Sequence, residues 1–313
     1  MKRAKRFSNS LVVIPLISAL LTGCGSSSGS NHAIVDSKEP TTAETTTAEA
    51  PSADSGTAQA AEPKAADTTI DEQVIFDMDG VKMTALSYQT GGWTGDSIKV
   101  LIENNSGKKV GVGCDALIVN DYMISTLFSS IIEDGMKANE TVDLYNSQLS
   151  AAGIANVGKI EVKFHLFDPD SFMTTTTGET YTIQTNHFDD MDLTPNDAGK
   201  ELYNENGVRI VGKYVNDDTI WGNAIVLYLE NNTDQNIVVQ CDTMAINGFM
   251  MTPFFSSEIY ANKRAISEIT LMSSELEQNG IEKVQDVQVT FNILNAETFM
   301  NIATSEPIQF SVE

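Results

Sequence analysis

Cysteine, histidine and the acids are the residues in this chain equipped for chemistry, and their spacing limits what that chemistry could be. Zinc requires ligands at set spacings, and no two of His32, His165 and His187 share one. His165 holds a polar position in an alternating run, so it is expected to face solvent from a strand. Calcium takes hard oxygen ligands, and Asp189, Asp190, Asp192, Asn196 and Asp197 form the cluster that offers them. The EF-hand order fails there, because the position counted from Asp190 that needs glycine is Pro195. A solvated acidic linker is the expectation, with no metal and no cofactor. Gly25-Ser26-Ser27-Ser28-Gly29 fits the G-x-S-x-G pattern of serine hydrolases. That motif works only on a strained strand-to-helix turn, and these residues lie in a serine-rich leader. Cys114 and Cys241 share parity with Val110/Val112 and Ile237/Val239, which predicts buried, inert thiols. Carboxylates abound, yet a paired acid and base is a spatial fact that no run of letters supplies. No catalytic residue emerges, and the chain reads as a non-enzyme.

Acids outnumber Lys and Arg by 43 to 19, a formal net charge of −24. Such a field repels phosphates and disfavours nucleic acid as a partner. It also repels anionic lipid headgroups, so contact with a membrane has to come from lipid attached to the chain. A length of 313 residues allows two domains of ordinary size.

The means of attachment stands at the start. Lys2, Arg3, Lys5 and Arg6 precede an apolar run from Leu11 to Leu21, the layout of a secretory signal peptide. A permanent membrane span takes roughly 20 apolar residues, more than this run has. Leu21-Thr22-Gly23-Cys24 closes the segment and resembles the lipobox of bacterial lipoproteins. The resemblance implies cleavage between Gly23 and Cys24, acylation of Cys24, and residence on the outer face of the cytoplasmic membrane. Two acyl chains on one residue suffice for stable anchoring. Residues 1–23 are then the signal peptide. Residues 24–71, rich in Ser, Thr, Ala and Glu, read as a disordered tether unable to bury enough apolar surface to fold.

Beyond the tether the chain repeats itself. Glu103-Asn104-Asn105-Ser106 returns as Glu230-Asn231-Asn232-Thr233, 127 positions on. Cys114-Asp115 with Cys241-Asp242, Phe128-Ser129-Ser130 with Phe255-Ser256-Ser257, Gly153-Ile154 with Gly280-Ile281, and Phe172-Met173 with Phe299-Met300 keep the same offset. A period this long marks whole domains, not solenoid units. The boundaries are 72–186 and 201–313, joined by an acidic connector over 187–200. Period-two alternation (Ile160, Val162, Phe164 and Leu166 against Glu161, Lys163 and His165) predicts strands with one buried face. Asn247-Gly248 and Asn120-Asp121 predict tight hairpin turns. Ser274 and Glu277 form a capping-box pattern for one short helix before Gly280, and Ser147 to Gly153 is its counterpart. About seven strands per copy point to two tandem immunoglobulin-like β-sandwiches in an all-β chain. The order of motifs resembles the Ig-like repeats of uncharacterised Gram-positive surface lipoproteins. Its motifs are turns and core positions, so the resemblance implies a fold and no active site.

One stretch is richer in soft apolar residues than a single core requires. Met250, Met251, Phe254 and Phe255, with Met123 and Phe128 in the first copy, form the candidate binding surface. Trp93 and Trp221 are expected to pack. The function that follows is non-catalytic binding of an envelope protein or ligand. The alternatives are a wall- or glycan-acting hydrolase using acidic residues and a passive spacer. Two close carboxylates in a concave site would favour the hydrolase; an exposed apolar patch around Met250 to Phe255 would favour binding.

Overall fold

The computed structural model describes residues 30–37, 67–219 and 221–313. Residues 1–23, read above as a signal peptide, and Cys24 lie outside them. The described chain is nearly all β, with sheets that are not closed into a barrel. It begins with β1 (Asn31–Asp36). The first half holds β2 (Gln73–Met78), β3 (Val81–Gln89), β4 (Gly95–Asn104), β5 (Val110–Val119), β6 (Tyr122–Ile124), β7 (Ser129–Ile132), β8 (Lys137–Tyr145), α1 (Asn146–Ala152), β9 (Lys159–Phe167) and β10 (Thr174–Gln184). The second holds β11 (Lys200–Glu205), β12 (Val208–Thr219), β13 (Gly222–Asn231), β14 (Ile237–Ile246), β15 (Phe249–Met251), β16 (Ser256–Ile259), β17 (Lys263–Met272), α2 (Ser273–Gln278), β18 (Asp286–Asn295), β19 (Asn301–Thr304) and β20 (Ile308–Val312).

The repeat read from sequence extends to strand register. Val81 faces Asn104 across β3 and β4, and Val208 faces Asn231 across β12 and β13. The repeated Asn side chains make equivalent hydrogen bonds in the two halves. Buried Asn104 donates to the Lys108 and Ile132 carbonyls and accepts from Ser106. Buried Asn231 does the same with Gln235, Ile259 and Thr233. The predicted hairpins also form: Asn120 and Asp121 have φ of 46° and 68°, and Asn247 and Gly248 have 49° and 83°. Each Cys-Asp pair sits where the strand register slips by one residue, a β-bulge. The capping box is not used: α2 is capped at Met272, without a side-chain hydrogen bond.

Sheet β2-β3-β4-β8 shares a core with β5, β9 and β10. The second core lies between β11-β12-β13-β17 and the β14-β18-β20 group. The halves are not beads on a string. β6 pairs parallel with β17, Tyr122 opposite Arg264, and links the halves into one hydrogen-bonded network. Val211, Val226, Tyr228 and Ile266 point away from their own core and are buried in the first half's. Their counterparts 127 positions earlier are Thr84, Lys99, Leu101 and Asn139. Three of these four pairs thus change from polar to apolar where the second half's sheet is covered on both faces. This accounts for the unbroken run Ile225-Val226-Leu227-Tyr228-Leu229, since a sheet buried on both sides needs no alternation. Polar contacts frame the joint: Lys263 Nζ lies 2.6 Å from both Asp121 Oδ1 and Glu161 Oε2.

Residues 31–36 correct the tether reading. Asn31–Ala33 pair with β12 and Ile34–Asp36 with β20, closing the seam between those strands. Ile34 is buried in the second core, and Asp36 is ion-paired with Lys200. In the first half Ile70 bridges to Thr185, the position 127 before Val312, which pairs with Ile34. The connector is likewise seated. Asn196 N donates to Tyr122 Oη at 2.9 Å, and its side-chain amide donates to the Ala151 carbonyl.

Candidate functional site

Two kinds of feature qualify: a groove where the halves meet, and apolar side chains left in solvent. The groove, about 210 Å³, is lined by Cys114, Asp115, Met123, Ser257, Glu258 and Ser267 among others. Asp115 Oδ1 lies 2.6 Å from His165 Nδ1, whose ring covers Gly113, so His165 is half-buried instead of free in solvent. Lys163 Nζ stands 5.9 Å from the centre of the Tyr260 ring. Burial pushes the Glu258 carboxyl upward, Lys163 opposes this and Asp115 adds to it. Glu258 is nevertheless exposed overall, which limits the effect. Burial, then the Asp115 charge, raises the Cys114 thiol to about 12, and the sulfur donates to the Ala116 carbonyl at 3.3 Å. Cys241 is likewise half-buried, raised to about 12, and turned toward the Thr243 carbonyl. A protonated, carbonyl-bound thiol is a poor nucleophile. The groove is also smaller than the roughly 300–1,000 Å³ of ordinary ligand pockets. The sequence could not place Asp115 and Glu258 together, because they come from different halves.

A larger open cleft, about 420 Å³, is lined by Glu201, Glu205, Thr304 and Glu306. Its Glu201 is held by Arg209 at 2.8 Å. No motif marked these acids. The proposed calcium ligands do not converge. Asp197 binds Arg209 at 2.6 Å, Asp192 accepts from Thr194 N, and Asn196 is committed to the first half. Among the described residues no group of three His, Cys, Asp or Glu could hold a metal.

The apolar candidates divide. Met250 is 67% and Phe254 80% exposed, whereas Met251 is buried and Phe255, Met123 and Phe128 are half-buried against the cores. Four of the six are therefore packing residues: a strand sends alternate side chains inward, and residue types cannot say which. The tryptophans go the other way, Trp93 being 95% and Trp221 54% exposed. Trp221, Phe254 and Met272 cluster at one end of the second half. Gly222 pairs with Met272, Ser273 N donates to the Trp221 carbonyl, and Phe254 and Met272 line one shallow hollow.

Phe172-Met173 and Phe299-Met300 are a further exposed set, one pair on the matching hairpin of each half. The hairpins are built alike. Asp168 Oδ1 accepts from Asp170 N and Ser171 N, and Asn295 Oδ1 accepts from Glu297 N and Thr298 N. Each phenylalanine has a left-handed backbone, φ 56° and 54°, a conformation that costs a bulky side chain about 1–3 kcal/mol. These residues are visible in the repeat as letters; their exposure was not legible.

No family model matches the chain, and no curated protein does. Among solved structures it is similar to a protein of unknown function from Porphyromonas gingivalis W83, at 9% identity and a TM-score of 0.17, covering 69% of this chain and 89% of that one. A likeness at that level decides nothing about fold or function.

Proposed function

We propose that this chain is a lipid-anchored protein of the outer face of the cytoplasmic membrane, made of two immunoglobulin-like β-sandwiches fused side by side, which binds an envelope protein or ligand without catalysis. The twin Phe-Met tips carry the reading. Exposed apolar residues on soluble proteins mark interaction sites when they are gathered and held. Here both copies keep the same two, on hairpins braced by the same side-chain contacts. Repetition of a binding tip is a route to avidity. The basic start, apolar run and Leu-x-Gly-Cys at Cys24 support the anchor, and no described helix is long and apolar enough to cross a membrane. The element-by-element repeat and the two cores support the paired sandwiches.

The test is capture from envelope extract. Because Ile34 belongs to the second core, the bait begins at Gly25 and not at the end of the tether. Partners retained by the wild type and lost with Phe172→Ser/Met173→Ser/Phe299→Ser/Met300→Ser support binding at the tips. A protein that retains nothing is a spacer, and one that releases soluble fragments from wall material is a hydrolase.

A further inference from the structure

We infer that the end of the second half bearing Trp221, Phe254 and Met272 rests on the lipid bilayer, held there by the short stretch between Cys24 and β1. The inference rests on the proposed acylation of Cys24. Composition alone would let a long tether lift the folded part away from the membrane. The position of β1 reverses that. Only Gly25–Ser30 separate Cys24 from Asn31, and seven steps of extended chain span roughly 25 Å at most. The longer segment, residues 38–66, lies beyond β1 and joins it to the first half, so it adds nothing to the distance between the lipid and the second half.

The direction of β1 then says which end faces the membrane. Asn31 pairs with Asn216, near the end of β12, and Ser30 N donates to Asp217 Oδ1 at 3.0 Å. The chain therefore enters from the side of the β12–β13 hairpin, whose first described residue after the turn is Trp221. Thr219 is three residues beyond Asn216, roughly 10 Å at the rise of a strand. Trp221, 80%-exposed Phe254 and Met272 project at that end. Tryptophan favours the interface between headgroups and acyl chains, where its ring is sheltered and its N–H stays hydrated. A tether this short keeps the local concentration of the end at the surface high, so even a weak apolar contact is occupied.

Charge sets the depth. Asp217, bound by His32 at 3.0 Å, and Glu275, which accepts from Thr252 N, flank the cluster. They hold it at headgroup level and weaken it on anionic lipid. The neighbourhood of Trp93 lies at the other end of β17. Asn146 N donates to the Thr94 carbonyl, and the α1 it begins is tied through Asn196 to Tyr122. Tyr122 pairs with Arg264 near the start of β17, whereas Met272 is the last residue of that strand. Trp93, on the matching hairpin of the first half, emerges at the far end.

The chain has two tryptophans, which makes the experiment direct. The acylated full-length mature protein is reconstituted into phosphatidylcholine vesicles as Trp93→Phe, leaving Trp221, and as Trp221→Phe, leaving Trp93. Lipids brominated near the headgroup are the quencher. Trp221 emission is expected to shift to the blue and be quenched while Trp93 emission is unchanged. Absence of quenching at Trp221 in protein whose Cys24 is acylated by mass spectrometry overturns the inference and leaves the anchor standing. A blue shift that bromine does not quench and that grows with protein density means a second copy covers the cluster, which also overturns it. An unmodified Cys24 removes the anchor, and the inference with it.

Discussion

Lys263 is where the joint between the halves can be weakened with the least disturbance to either core. Its ammonium donates to Asp121 and Glu161 at 2.6 Å each, and Lys159 adds a contact to Asp121 at 2.8 Å. The side chains of Lys263, Asp121 and Glu161 are 18%, 26% and 17% exposed. Fully exposed pairs contribute about 0–1 kcal/mol, and breaking a fully buried pair costs about 3–5 kcal/mol. Lys159 stays behind to neutralise part of the acid, so Lys263→Met should cost about 2 kcal/mol. Urea unfolding reads this as a lower midpoint at unchanged slope. A loss below about 0.5 kcal/mol would refute the argument and leave apolar contact and the β6–β17 backbone pairing holding the halves together. The pH dependence supplies a second check. Burial would raise the Asp121 carboxyl, but hydrogen bonds from Lys159 and Lys263 outweigh it and the pKa is lowered. Its contribution is thus full above the ordinary carboxylate range and is lost as pH falls through the lowered value. Burial would lower Lys263, but Asp121 and Glu161 outweigh it and the pKa is raised. Its contribution is full below the ordinary lysine range and is lost as pH rises through the raised value. The gap between wild type and Lys263→Met should therefore be flat near neutrality and narrow at both extremes.

Three more outcomes follow from the same geometry. Ile34→Ala should destabilise the chain by about 2–4 kcal/mol in urea, because it hollows the second core at the seam that β1 closes; a change within about 0.5 kcal/mol would make β1 an idle strand. Tyr228 Oη is buried without a hydrogen-bond partner among the described residues, so Tyr228→Phe should leave stability unchanged or raise it by about 1 kcal/mol, and a larger loss would reveal a bond. Cys114 and Cys241, both raised to about 12 by burial first and the neighbouring aspartate second, should alkylate slowly at pH 8 and quickly in urea; fast reaction of the folded protein would contradict their burial.

Much of the fold was legible because its signals are local. Alternation along β9 and β18 marks a buried face, Asn-Gly and Asn-Asp supply left-handed turns, and the constant offset ties the copies together. The buried clasps at Asn104 and Asn231 were visible as repeated letters, though not as hydrogen bonds. The candidate surface was read less well. Met251 and Phe255 turn inward and Trp93 and Trp221 outward, because an apolar residue beside a turn carries no record of which side the core lies on. β1 was missed for a different reason. Ala33-Ile34-Val35 are three apolar residues within a polar stretch, and on their own they cannot offset the entropy of ordering. They become a strand only because β12 and β20 offer open edges.

The sequence by itself determined that a β unit was made twice, where its turns fall, and that a Leu-x-Gly-Cys segment precedes it. Only the tertiary structure decided that the two units share a sheet, that six residues near the start complete the second, and which apolar side chains stay in water. Strand propensity and turn chemistry act over a few neighbouring residues. The pairing of an edge or the covering of a sheet face is settled by segments almost three hundred positions apart, as Ile34 and Val312 are, and their meeting is written in no single stretch of the chain.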